Sequence, residues 1–121
     1  MTTPDLTQIG SVYDLIRRDL GGLRVSDREN PESTTFSTSE ALMLRASAAR
    51  LAFVVVNLSA NVMFIRPTRV PTTSAGIRLA PNGGSAVVGW KEDFSLPARE
   101  WRMIADAGLT NAYYVLEVVL I

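Results

Sequence analysis

Residues 50–84 constrain the fold more than any other stretch. Two apolar runs, 51–56 and 62–65, flank the short polar turn Asn57-Leu58-Ser59-Ala60-Asn61. A third apolar segment around Ile77 and Leu79 follows a Ser/Thr-rich loop and leads into Pro81-Asn82-Gly83-Gly84. Short runs of β-branched and aromatic residues bounded by turn chemistry are strand signals. The segment therefore predicts the core of an antiparallel β domain, and none of its residues has obvious catalytic chemistry.

The same punctuation continues from Glu40 to the end. Strands are expected at 42–46, 51–57, 62–66, 77–79, 86–90, 100–105 and 113–121, with a helical turn as the alternative around 46–51. Turns every 8–12 residues point to a sandwich or small barrel. Pro81-Asn82-Gly83-Gly84 reads as a hairpin turn. Two segments are apolar on both faces. One is 62–65; the other is the last strand, where Tyr114, Leu116, Val118 and Leu120 form one face and Glu117 alone interrupts the other. Strands of this kind need cover on both faces, from an N-terminal helix or from another subunit.

That helix is expected at residues 4–20. Thr3 is a capping residue, Pro4 suits the first helical position and Asp5 suits the positive end of the dipole. Leu6, Ile9, Tyr13, Ile16 and Leu20 recur at helical spacing as one apolar stripe. Arg17 and Arg18 favour the C-terminal end, and Gly21-Gly22 terminates the helix, which would be roughly 25 Å long. Residues 23–39 are polar and aperiodic and read as an extended arm, able to span up to ~55 Å. The organisation predicted is a helix and arm over 1–39, then a mainly β, sandwich or jelly-roll-like domain over 40–121.

Composition removes several functional classes. The 121 residues contain no Cys and no His, so disulfides, thiolate metal sites and the commonest general base are absent. No loop has calcium-binding spacing. No cofactor or metal is expected. Net charge is zero, which does not suggest a nucleic-acid partner. The charge is unevenly placed, however. Residues 1–40 hold seven acids against four arginines, and residues 41–121 hold eight bases against five acids. An acidic front and a basic body can attract each other, within one chain or between neighbours. No secretory signal or membrane-length apolar run is visible, so the expectation is a cytosol-like compartment without a membrane partner.

Individual motifs are mostly structural. Asn57-Leu58-Ser59 matches a glycosylation pattern but reads as a turn. Glu92 and Asp93 read as a solvated loop rather than a glycosidase pair. The serines at 47, 59, 74 and 85 lack an activating His. Trp90, Trp101 and Tyr114, with Tyr113, offer a stacking platform for a sugar or other ligand, against core packing as the plainer role.

The central segment resembles the small β-sandwich structural proteins, head decoration proteins among them, of tailed bacteriophage virions. The resemblance rests on Arg50, the run 53–56, Asn57-Leu58-Ser59, Asn61-Val62, Thr73-Ser74-Ala75-Gly76-Ile77, Leu79 and Pro81-Asn82-Gly83-Gly84, about a third of the chain. It implies a non-enzymatic virion component, present in many copies and assembled in the host cytoplasm. Capsid decoration is the leading expectation. Partner binding to neighbouring major capsid subunits, and to copies of itself, would run through Leu6, Ile9, Tyr13, Ile16, Leu20, Arg17 and Arg18. A neck or tail component, where the amphipathic helix would dock between ring subunits, and a carbohydrate-binding module are the alternatives.

Overall fold

The computed structural model describes residue 21 and residues 24–121. The expected helix over 4–20 lies outside the described residues. The chain runs through β1 (Val25–Arg28), β2 (Thr35–Phe36), β3 (Ala41–Leu44), β4 (Arg50–Asn57), β5 (Met63–Pro67), β6 (Ile77–Leu79) and β7 (Ser85–Gly89). A one-turn helix α1 (Trp90–Asp93) and a 3-10 turn (Leu96–Ala98) precede β8 (Trp101–Ala105) and β9 (Asn111–Leu120). The fold is mainly β, with two antiparallel sheets. The first has the order β1-β9-β4-β7, with β2 also on β9, and the second the order β3-β8-β5-β6.

The alternation of the sequence decides what each face buries. In β4, Phe53, Val55 and Asn57 point inward while Val54 and Val56 point outward. In β9, Val115, Glu117 and Val119 are buried, Leu116, Val118 and Leu120 only partly so, and Ala112 and Tyr114 are exposed. The second sheet contributes Met43, Leu44, Met63, Ile65, Leu79, Trp101 and Met103 to the same core. The Phe53 and Trp101 rings meet across the two sheets, edge to face, with centroids 5.1 Å apart, a favoured aromatic geometry. Trp101 Nε1 donates to the Leu96 carbonyl at 2.9 Å, so the polar atom of this buried ring is satisfied. Phe64, on the opposite face of β5, sits between Ile104 and Arg78 on the neighbouring strands and is also buried.

Two sequence expectations change. The segment 23–39 is not simply an arm, because β1 pairs with residues 117–120 of β9 and β2 with residues 111–112. Phe36 is buried in the core against Tyr113. Among the described residues the β structure therefore begins at Val25, ahead of Glu40. Polar composition hides such a strand, because an edge strand is held by backbone pairing and needs few apolar side chains. The second change concerns Pro81-Asn82-Gly83-Gly84. It does not close a hairpin but carries the chain from β6 in one sheet to β7 in the other. Gly84 is required there, since a Cβ would lie 2.3 Å from the Ala80 nitrogen.

Candidate functional site

Asn57 organises that crossing. Its Nδ2 donates to the carbonyls of Asn61 (2.7 Å), Leu79 (3.2 Å) and Ala80 (3.2 Å), and its Oδ1 accepts from the Ser59 N–H and Oγ. The side chain is fully buried. The Asn57-Leu58-Ser59 motif is thus a turn clamp, and its amide is not exposed for a glycan.

At the opposite end of β4 lies a buried charged cluster. Glu117 projects from β9 into the interior, opposite Phe53. Arg50, first residue of β4, donates from Nε to Glu117 Oε1 at 2.7 Å, and both side chains are 1% exposed. The rest of the Arg50 guanidinium is satisfied by backbone carbonyls: Pro97 (3.1 Å) and Arg99 (3.2 Å) on Nη1, and Arg45 (2.7 Å) on Nη2. Arg28 from β1 completes the group, donating from Nε to Glu117 Oε2 at 2.9 Å and from Nη2 to Oε1 at 3.2 Å. A buried pair of this kind does not stabilise much relative to apolar residues, but losing one member strands the other charge. The cluster fastens β1, β4, β9, the 45–50 loop and the 3-10 turn at one end of the core.

Above it opens a groove of 430 Å³ bordered by Arg28, Asn30, Glu32, Arg45 and Ser47, with Arg50 and Glu117 as its floor. Arg45 Nε donates to Glu32 Oε1 at 2.6 Å at the rim. The hydrogen bond from Arg45 holds the Glu32 carboxyl below its ordinary pKa, against a smaller opposing effect of desolvation. Ser47 Oγ accepts only a long contact from Arg28, at 3.4 Å. Each charged side chain here is spent on another, and no base activates the serine. Among the described residues no group of three or more His, Cys, Asp or Glu is placed to hold a metal.

The uneven charge of the sequence is partly resolved inside the chain. Glu32 pairs with Arg45, and Glu40 with Arg102, which also takes Glu100 at 2.6 Å. In the sequence Glu117 stands out as an interruption and Arg50 as a strand leader, with no local pattern that joins them. The signal for each was there: one acid in a face otherwise fit for a core, and one Arg where an apolar strand begins.

The predicted partner-binding residues Leu6, Ile9, Tyr13, Ile16, Arg17, Arg18 and Leu20 lie outside the described residues. The proposed aromatic platform is dispersed. Trp101 is buried in the core. Tyr114 lies opposite Val56, while Trp90 follows Gly89, which lies opposite Ala52. Four residues of β4 separate them, roughly 13 Å along the strand. Glu92 and Asp93 lie in α1 rather than in a loop, and Asp93 Oδ2 accepts the Gly89 N–H at 3.0 Å.

The last strand needs cover on both faces, and the outer face of the first sheet shows what is to be covered. The register places Val25 beside Leu120, Ala52 beside Val118, and Val54 between Leu116 and Val87. This face turns away from the core and is mostly apolar, interrupted by Asp27 opposite Val118 and Ser85 opposite Val56, and Val54, Leu116, Val118 and Leu120 on it are partly buried. No helix among the described residues is long and apolar enough to cross a membrane.

No family model and no curated protein matches the chain. Among solved structures, a chain from Bacillus endospore appendages, which form a novel family of disulfide-linked pili, aligns over 78% of this chain and 85% of that one. The sequence identity is 11% and the TM-score 0.47. A likeness so distant carries no weight for fold or function.

Proposed function

We propose that the two sheets form a jelly-roll-like β-sandwich and that this protein is a non-enzymatic structural component of a phage particle, specifically a capsid decoration protein. The observation that carries the reading is the apolar outer face of the first sheet. The buried charges of the described region are taken up in structural pairs, whereas Val54, Leu116, Val118 and Leu120 face away from the core and are only partly buried. A sheet face of this composition needs cover from another element or from other protein. The N-terminal segment supplies the docking element in this reading, through Leu6, Ile9, Tyr13, Ile16 and Leu20 with Arg17 and Arg18, on neighbouring major capsid subunits.

The test is a deletion of residues 1–23, which stops short of β1. Incubated with shells assembled from the cognate major capsid protein, the truncated chain is expected to stay folded and remain unbound. Undiminished occupancy of the shells would remove the N-terminal docking role. Labelled chain found at the vertex or tail would replace decoration with a neck or tail position.

A further inference from the structure

The strand edges of the two sheets are protected unequally. An open edge presents unpaired N–H and C=O groups, and proteins blunt such edges with charge, shortness, bulges or covering segments. β6 is three residues long and carries Arg78. β1 carries Asp27 and Arg28, and β2 has two residues. β3 has an irregular register between Leu42 and Leu44, and its Met43 carbonyl accepts the Glu32 N–H at 2.9 Å.

β7 has little of this protection. Ser85-Ala86-Val87-Val88-Gly89 carries no charge and no proline, and pairs with β4 in unbroken register over all five residues. No described strand lies on its other side. The Gly89 N–H points to Asp93 Oδ2, away from β4. Backbone groups alternate along a strand of an antiparallel pair, so the Val87 and Ser85 N–H groups turn the same way. Asp93 caps one end of the edge and leaves the middle open. Val87 is 72% exposed. Trp90 and Phe94, at either end of the turn bearing Asp93, add apolar surface beside it. Phe94 is 84% exposed and held at φ 56°, a conformation that bulky residues rarely adopt.

We propose that this edge pairs antiparallel with β7 of a second copy, about a two-fold axis through Val87. The strand is complementary to itself. Val87 then opposes Val87, Ala86 opposes Val88, Ser85 opposes Gly89, and no like charges meet. The two Val87 residues exchange both backbone bonds, and each Ser85 N–H reaches the Gly89 carbonyl of the other copy, whose N–H stays with Asp93. A two-fold contact using one patch twice is the commonest form of self-association. It joins the two first sheets into one and continues the outer apolar row Leu116, Val54, Val87 across the axis. This contact does not depend on the particle role, since it uses neither the N-terminal segment nor a capsid surface.

Sedimentation velocity of the intact chain over a wide concentration range tests it, with a reversible monomer–dimer equilibrium expected. Val87→Lys sets two ammonium groups facing each other and should raise the dissociation constant by at least about tenfold. The circular dichroism spectrum should not change, because Val87 lies on the solvent side. In hydrogen exchange, the Ser85 and Val87 amides should gain protection as concentration rises. A chain that stays monomeric throughout would overturn the proposal. So would a dimer unaffected by Val87→Lys, or one lost on removing residues 1–23 while Val87 exchanges at the same rate at every concentration.

Discussion

Glu117 and Arg50 set the terms at the scale of single residues. Both are buried and hydrogen-bonded on every side the structure allows. Arg50→Met leaves Glu117 with only the half-exposed Arg28 and frees three backbone carbonyls. A loss of about 3–5 kcal/mol is expected in urea denaturation. The double variant Arg50→Met/Glu117→Leu should recover only the part of that loss due to the stranded Glu117 charge, because the three freed carbonyls and Arg28 still lack their partners. Tyr113 gives a pH signature. Its hydroxyl donates to the Ser33 carbonyl, and burial, helped by the charge of Glu32, pushes its pKa above the ordinary value. A raised pKa means that the folded state holds the proton more tightly. The stability it confers is whole below about pH 10 and is lost as pH climbs toward the folded value. Denaturation curves taken between about pH 9 and 11 should fall more steeply for the native protein than for Tyr113→Phe. Equal slopes would mean that the Tyr113 proton is not linked to folding.

At the scale of elements, β1 and β2 decide where the fold begins. Phe36 packs on Tyr113 with ring centroids 5.9 Å apart, and β1 brings Arg28 to Glu117. Removing residues 1–38 should therefore destabilise the protein severely, whereas removing 1–23 should leave its cooperative unfolding intact. Phe36→Ala alone should cost about 3–5 kcal/mol, and a negligible change would return residues 25–36 to the status of an arm. These strands were hard to read in the sequence for a physical reason. Ser26, Asp27, Arg28 and Thr35 pair through their backbones at the rim of a sheet, where side-chain polarity carries little penalty. The strands of the core were legible because burial imposes a period of two, visible in Phe53 with Val55 and in Trp101 with Met103 and Ala105. Pro81-Asn82-Gly83-Gly84 announced a reversal but not its destination, since the same turn chemistry serves a hairpin and a crossing between sheets. Arg50 and Glu117 are 67 residues apart, and no local pattern links residues so distant.

At the scale of the whole molecule, ion pairs close the fold and a partly buried apolar face is turned outward. The Arg45–Glu32 and Arg102–Glu40 pairs tie the acidic front of the sequence to its basic body. The outer face of the first sheet and the β7 edge remain as the surfaces with something to gain from other chains. A structural component of a particle uses such surfaces and needs no reactive group. The most direct measurement is cosedimentation of the intact chain with shells assembled from the cognate major capsid protein. Saturable binding at a fixed ratio of chain to capsid subunit is the predicted result. Chain left wholly in the supernatant at saturating shell concentration would contradict a decoration role.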